Sequence, residues 1–175
     1  MTGTSTAARR LVLLRHAKAE PGGVLDDHVR TLALEGRRQS GLVGASLLDA
    51  GLVPDLVLCS SAVRTRQTWD LTRNALGTDA PRVEVSDELY TAGARELLEL
   101  VRSVDPDVRT VLLVGHEPTV SQAAALLAGP GSDETAVLRV RTGVPTASYS
   151  VLETDAAWSA LEPDGARLLR LVTAD

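Results

Sequence analysis

The sequence predicts a three-layer α/β/α sandwich built around a mostly parallel sheet. Short apolar runs at residues 11–14, 56–58 and 110–114 alternate with longer amphipathic stretches. Fully apolar runs of this length are typical of strands covered on both faces, and their alternation with helices favours a parallel sheet. With 175 residues, 44% of them hydrophobic and 23% charged, the chain can bury a core of its own. We therefore expect a single domain over residues 1–175, with a flexible N-terminus at residues 1–9.

The periodicity after each strand predicts the remaining elements in order. Helices are expected over about residues 33–50, 62–76, 93–104 and 117–128, and a weaker strand at residues 83–85. The first helix should bury a stripe that is rich in small residues and packs closely against the sheet: Leu34, Gly41, Ala45 and Leu48. Beyond residue 131 the pattern changes, and residues 136–141, 146–152 and 166–172 resemble strands. The segment around Trp158 has no clear assignment.

Composition excludes several classes of function. The formal net charge of −5 and the isoelectric point near 5.2 do not suit a nucleic-acid-binding protein. No apolar run approaches the roughly 20 residues of a membrane-spanning helix, and the run at 11–14 is too short for a signal peptide. The single cysteine, Cys59, precludes an internal disulfide and suits a reducing cytoplasm. We therefore expect a cytoplasmic protein without nucleic-acid or membrane partners; its oligomeric state is left open.

The residues with chemical potential follow the predicted strands. Arg15 and His16 come directly after the first strand, Arg64 opens the helix after the second, and His116 follows the strongest strand. The carboxyl ends of parallel strands share one edge, which is where such folds keep their sites. Two guanidinium groups, two imidazoles and two helix N-termini at one place favour a bound anion. The constellation predicts a phosphate pocket.

Other polar residues are assigned less directly. Lys18 is expected on the rim of the pocket, where it would attract anions, and Arg30 either folds over the phosphate or stays solvated. His28 is expected to be a surface loop residue. One cysteine and dispersed histidines do not assemble a zinc site, so neither a metal nor a cofactor is expected.

Three spaced motifs resemble those of the histidine phosphatase superfamily, which includes the phosphoglycerate mutases. The segment L-L-R-H-A-K-A at residues 13–19 looks like the R-H-G signature, and C-S-S-A-V-R-T-R-Q-T at 59–68 is similar to S-x-x-x-R-x-x-Q-T. The segment L-L-V-G-H-E-P-T-V at 112–120 matches V-x-H-x-P, and R-T-L-A-L-E-G-R-R-Q at 30–39 resembles R-x-L-T-x-x-G-x-x-Q. The short chain is most similar to the SixA-type phosphohistidine phosphatases, which implies a phosphoglycerate mutase-like fold.

The residues and the resemblance indicate the same mechanism. Neutral His16 is the candidate nucleophile that forms a phosphohistidine, while Arg15, Arg64 and His116 bind and stabilise the phosphoryl group. Two positions depart from the family pattern: Ala17 replaces a glycine, and Ala33 replaces a threonine that would cap the first helix. With alanine at position 17, the backbone there must adopt ordinary angles or bear strain. Without the threonine cap, the first helix is less stable by about 1 kcal/mol unless Thr31 caps it instead.

The general acid is the weakest part of the pattern. In the segment S-D-E-L-Y-T-A-G at residues 86–93, Glu88 is the best candidate and Asp87 the second, although a solvated carboxylate fits equally well. A phosphate ester needs such an acid, whereas phosphohistidine releases an imidazole, a weaker base. This difference favours a phosphohistidine protein as substrate over a small phosphorylated metabolite. A mutase-like transferase is disfavoured by chain length, and a non-catalytic phosphate-binding module by the retained nucleophile.

Overall fold

The sheet has six strands, and three of its five strand pairings are parallel. A computed structural model describes residues 7–77 and 81–174. Within them the strands are β1 (Arg9–Arg15), β2 (Leu56–Ser60), β3 (Arg82–Ser86), β4 (Thr110–Gly115), β5 (Tyr149–Thr154) and β6 (Arg167–Val172). Their order is β3-β2-β4-β1-β5-β6; β5 pairs antiparallel with β1 and β6, and the other pairings are parallel. The predicted fold class is confirmed.

Helices cover both faces of this sheet. They are α1 (Leu34–Asp49), α2 (Val63–Leu76), α3 (Glu88–Thr91), α4 (Ala94–Arg102), α5 (Thr119–Leu127) and α6 (Glu134–Arg141), with 3₁₀ turns at Asp27–Val29 and Trp158–Ala160. Alternate residues of β1 serve the two layers: Val12 and Leu14 pack with α1 and α2, and Leu11 and Leu13 pack with α4 and α5. Each face of a central strand is therefore apolar, which is why the strands read as continuous hydrophobic runs.

The buried face predicted for α1 was wrong, because the prediction chose the wrong side of the helix. Leu34 and Leu48 are exposed, and the buried face of α1 consists of Gly36, Gln39, Ser40, Val43, Gly44 and Leu47. A Cβ on Gly44 would lie 2.4 Å from the carbonyl oxygen of Thr72, so this glycine permits the close contact between α1 and α2. The prediction followed the apolar residues of the helix, whereas its buried face includes small and polar residues that pack or hydrogen-bond.

The strand predicted at residues 136–141 was also wrong, since these residues belong to α6. Alternating apolar and charged residues gave the segment a strand-like period. The Asp133 carboxylate caps the helix by accepting from the Ala136 amide at 2.8 Å. Ala136 and Val140, four residues apart, are buried together, whereas Leu138 is exposed. The cap and the i, i+4 spacing decide for a helix.

Several further expectations concern the ends of elements. The segment around Trp158 forms a 3₁₀ turn that buries the indole, whose N–H donates to the Val108 carbonyl oxygen at 2.8 Å. Ala17 adopts ordinary backbone angles, and Ala33 is the N-cap of α1 without a side-chain cap, so Thr31 does not substitute. The predicted flexible N-terminus spans residues 1–9; residues 1–6 lie outside the described residues, and Arg9 opens β1. No helix in the described ranges is long and apolar enough to cross a bilayer.

Candidate active site

Four predicted residues gather where strands of the sheet end. Arg15 is the last residue of β1, and His16 follows it. Arg64 lies in the first turn of α2, directly after β2, and His116 follows β4. Because β1, β2 and β4 run parallel, these ends lie at one edge of the sheet. The topology thus brings together side chains up to about a hundred residues apart in sequence.

The Arg64 guanidinium bridges the two histidines. Its Nε lies 3.3 Å from Nε2 of His16, and its Nη2 lies 3.2 Å from Nδ1 of His116. The two imidazole rings are 5.3 Å apart between centroids. A buried cation thus directs its N–H groups at two ring nitrogens, an arrangement that suits an anion placed between them.

The hydrogen-bond partners assign the ring protons. His16 Nδ1 lies 2.8 Å from the Ala17 carbonyl oxygen, which can only accept, so Nδ1 carries the proton. The Nε2 lone pair of His16 therefore faces Arg64. In His116, Nδ1 accepts from Arg64, so Nε2 donates to the Ser60 hydroxyl at 2.7 Å. His16 presents the unprotonated nitrogen that a nucleophile requires.

Burial and neighbouring positive charges keep both imidazoles neutral. Desolvation is the main cause that lowers the pKa of His16 to about 3; the charges of Arg64 and Arg15 act in the same direction, and the hydrogen bond to Ala17 opposes them. Desolvation and the Arg64 charge lower the pKa of His116 to about 4. The His16 imidazole is therefore neutral across the neutral pH range.

The Arg15 guanidinium is held by hydrogen bonds that run through Val144 to Glu117. Its Nη1 donates to the Val144 carbonyl oxygen at 2.7 Å, while the Val144 amide donates to the Glu117 carboxylate at 3.1 Å. Ser121 donates twice to the same carboxylate, at 2.8 Å from its amide and 2.8 Å from its hydroxyl. The buried Nε of Arg15 has no hydrogen-bond partner within the described residues. An unpaired buried N–H on a cation is the kind of group that an anionic ligand satisfies.

Three motif residues, Gly36, Gln39 and Gln67, have a structural role in this chain. Gln39 accepts from the Lys18 amide at 2.9 Å, and Gln67 accepts from the Leu32 amide at 2.8 Å. A Cβ on Gly36 would lie 2.0 Å from the Lys18 carbonyl oxygen, so only glycine allows the segment after His16 to lie this close to α1. The two glutamine side chains and the close approach at Gly36 hold the segment after His16 against α1 and α2.

The sequence does not predict two further residues of this cluster, Asp27 and Tyr90. Asp27, in the first 3₁₀ turn, accepts from Arg64 Nη2 at 2.9 Å, and Tyr90 of α3 donates to the same carboxylate oxygen at 2.7 Å. The Tyr90 ring meets the His116 ring edge-on at 5.5 Å between centroids. Asp27 and Tyr90 are 63 positions apart, and no motif spacing links them. The one feature of the sequence that points to Tyr90 is that one of its two tyrosines lies in the segment at residues 86–93.

His28 also lies nearer to the site than expected. Its Nε2 is 2.9 Å from the Ser61 hydroxyl, and its ring meets Tyr90 edge-on at 4.9 Å between centroids. This histidine therefore connects the 3₁₀ turn with the loop between β2 and α2, rather than standing free on the surface.

The weaker candidates lie outside the central cluster. Lys18 pairs with Glu35 at 2.8 Å on the surface, and Arg30 donates to Asp27 at 2.9 Å. Arg30 is near enough for its charge to contribute to the lowered pKa of His116. The exposed Glu88 carboxylate makes no hydrogen bond or ion pair with any described residue.

The part of the chain that the structure describes contains no group of three or more His, Cys, Asp or Glu residues arranged to hold a metal. Burial raises the pKa of Cys59 to about 12, so its thiol remains protonated.

Comparison with known proteins relates the chain to a group of phosphatases. An uncharacterized protein of Mycobacterium tuberculosis is 40% identical over 158 residues, which cover 89% of this chain and 96% of the relative. A candidate phosphohistidine phosphatase SixA from Nakamurella multipartitia is 38% identical, with a TM-score of 0.78 over 94% of this chain and 95% of that chain. Another candidate SixA, from Agrobacterium tumefaciens, is 28% identical, with a TM-score of 0.79 over 94% and 97%. No family model matches the sequence.

Proposed function

The chain belongs to the histidine phosphatase superfamily, and from this premise we propose that it is a protein phosphohistidine phosphatase of the SixA type. The observation that carries the proposal is the unprotonated Nε2 of His16, which faces the Arg64 guanidinium at 3.3 Å. A nucleophilic nitrogen beside a phosphate-binding cation is the arrangement that phosphoryl transfer to histidine needs.

In the first step, the Nε2 lone pair of His16 attacks the phosphorus atom of the substrate. The new P–N bond forms as the bond to the leaving group breaks, and the leaving group keeps the bonding electron pair. Arg15 and Arg64 donate to the equatorial phosphoryl oxygens, where charge accumulates in the transition state. The proton on Nδ1 of His16 stays hydrogen-bonded to the Ala17 carbonyl oxygen, which keeps the ring oriented.

In the second step, water attacks the phosphorus of the phosphohistidine from the side opposite His16. The P–N bond breaks, its electron pair returns to Nε2, and the proton lost by water passes to solvent or to the phosphate product. The same arginines stabilise this transition state, so the site works unchanged in both half-reactions. The net reaction consumes one water and releases inorganic phosphate.

The leaving group is the reason for preferring phosphohistidine over a phosphate ester. An ester releases an alkoxide and needs a general acid, but Asp27 accepts from Tyr90, Arg30 and Arg64, which hold the pKa of its carboxyl far below its usual range. Glu88 is exposed and contacts none of the four central residues. Solvent can protonate the ring nitrogen of the substrate phosphohistidine that does not carry the phosphoryl group. The leaving group is then a neutral imidazole, so its departure needs no dedicated general acid.

A phosphohistidine-bearing protein is therefore the proposed partner, and a small phosphorylated metabolite is the alternative substrate. We place the enzyme in the bacterial cytoplasm, where the buried free thiol of Cys59 would stay reduced.

The test compares turnover of a phosphohistidine peptide with that of p-nitrophenyl phosphate, with EDTA present in both assays. Single-turnover reactions with ³²P-labelled peptide are quenched in alkali, which preserves phosphohistidine, and the labelled residue is mapped. We expect preferential turnover of the peptide and label on His16.

Two variants sharpen this test. His16→Gln should abolish labelling and turnover, whereas His28→Gln, which alters another histidine at the mouth of the site, should retain both. Unchanged activity in His16→Gln would overturn the covalent mechanism. Faster turnover of the aryl ester or of phosphorylated metabolites would move the function to a small-molecule phosphatase. Phosphate binding without turnover of either substrate would indicate a binding module.

A further inference from the structure

The two edges of the Arg64 guanidinium have different partners. The Nε–Nη2 edge faces the nucleophilic His16 and His116, at 3.3 and 3.2 Å. Among the residues that the structure describes, Asp27 alone binds the Nη1–Nη2 edge: Nη1 donates to its backbone carbonyl oxygen at 2.8 Å, and Nη2 donates to its carboxylate at 2.9 Å. Asp27 thus binds the guanidinium from the side away from the nucleophile.

The Asp27 carboxylate is itself held by two further side chains, Tyr90 and Arg30. Tyr90, from α3, donates to the carboxylate oxygen that Arg64 binds, at 2.7 Å. Arg30 donates to the other oxygen from Nη2 at 2.9 Å and from Nε at 3.3 Å. The turn that carries Asp27 is closed by Asp26, whose carboxylate accepts from the His28 amide at 3.1 Å. The carboxylate is half exposed, but its donors fix it in one position.

We propose that Asp27 is a positioning residue that turns the Nε–Nη2 edge of Arg64 towards the transferring phosphoryl group. This inference rests on the proposed phosphatase function and adds a residue to its machinery. An arginine side chain has several rotatable bonds, and its two-point attachment to Asp27 removes the rotation that would turn the Nε–Nη2 edge away from His16. Correct orientation of such a clamp matters because misplacement by about 1 Å can cost about 100-fold in rate.

The charge of Asp27 gives this role a signature of its own. A carboxylate bound to the same nitrogen as the incoming phosphate repels that dianion, so Asp27 weakens ground-state binding while it orients Arg64. Replacing Asp27 by an uncharged residue of the same shape should therefore lower kcat but leave phosphate affinity unchanged or tighter. A residue that merely stabilises the fold would lower both together.

The experiment measures kcat, KM and competitive inhibition by inorganic phosphate for the wild type, Asp27→Asn and Asp26→Asn. The substrate is whichever one the wild type turns over, p-nitrophenyl phosphate included. We expect Asp27→Asn to lower kcat by about 10- to 100-fold with an inhibition constant equal to or below that of the wild type. Asp26→Asn removes the same charge one position away, keeps an acceptor oxygen for the turn, and should stay within about twofold of the wild type.

Tyr90→Phe provides a second variant that removes one donor to Asp27 and leaves the carboxylate in place. It should lower kcat less than Asp27→Asn and in the same direction. The inference is overturned if Asp27→Asn has the kcat of Asp26→Asn, or if its kcat and phosphate affinity fall together. A wild type that turns over no phosphorylated substrate would instead refute the proposed function, so the two failures are distinguishable.

Discussion

Acidification should destabilise this protein through His16, a prediction that follows from the site geometry rather than from activity. In the unfolded chain the imidazole titrates near its ordinary pKa of 6.5, whereas burial lowers the pKa of folded His16 to about 3. Between these values the unfolded state binds a proton that the folded state does not bind. The free energy of unfolding therefore falls as the pH drops below 6.5, and its full value is present only above that pKa.

The magnitude follows from the same two pKa values. At pH 7 about a quarter of the unfolded imidazole is protonated, at pH 5 nearly all of it, and folded His16 stays neutral throughout. Integration over this interval removes about 2 kcal/mol from the free energy of unfolding. His116, whose pKa is lowered to about 4, acts in the same direction. A loss of this size is a large share of the about 5–15 kcal/mol that stabilises a typical domain.

Urea unfolding at pH 7, 6 and 5 provides the assay. Two buried indoles, Trp69 and Trp158, report on unfolding through their fluorescence. His16→Gln removes the titrating group. From pH 7 to pH 5, the free energy of unfolding of the wild type should therefore fall by about 2 kcal/mol more than that of His16→Gln. Equal losses in the two proteins, with equal denaturant slopes, would show that His16 is not a neutral, desolvated imidazole in the folded state.

Three further predictions, which use four substitutions, test other parts of the structure. Gly44→Ala should lower the free energy of unfolding by about 1–3 kcal/mol or more, because its Cβ would lie 2.4 Å from a carbonyl oxygen of α2. Gly41→Ala, in the same helix with no atom within 4 Å of its Cβ, should raise it by about 0.5–1 kcal/mol, and equal urea midpoints would contradict the packing described. Ala33→Ser should add a missing cap to α1 and raise thermal stability by about 1 kcal/mol, which calorimetry would measure. Glu117→Gln places an amide N–H₂ among three donors and loosens Val144, whose carbonyl oxygen holds Arg15; kcat/KM should fall by about tenfold, and an unchanged value would exclude this support role.

Local sequence determined the sheet, most helices and the central site residues. The runs that became β1, β2 and β4 are apolar on both faces, so they indicate parallel strands without knowledge of their partners. Arg15, His16, Arg64 and His116 each follow such a strand closely, and parallel topology then places them at one edge. These residues lie close together because each follows a parallel strand, and that position can be read directly from the sequence.

Other parts of the fold and the site depend on tertiary contacts that the position of a residue in the sequence does not indicate. Residues 136–141 have a strand-like period, yet a cap and contacts with other elements make them helical. In the segment at residues 86–93 the sequence favours Glu88 as an acid, but Tyr90, two residues later, is the side chain that hydrogen-bonds to Asp27 beside Arg64. Its partner Asp27 lies in the first 3₁₀ turn and contacts Arg64 only because that turn packs near α2. Contacts of this kind depend on the relative placement of whole elements, and no local pattern of residues encodes that placement.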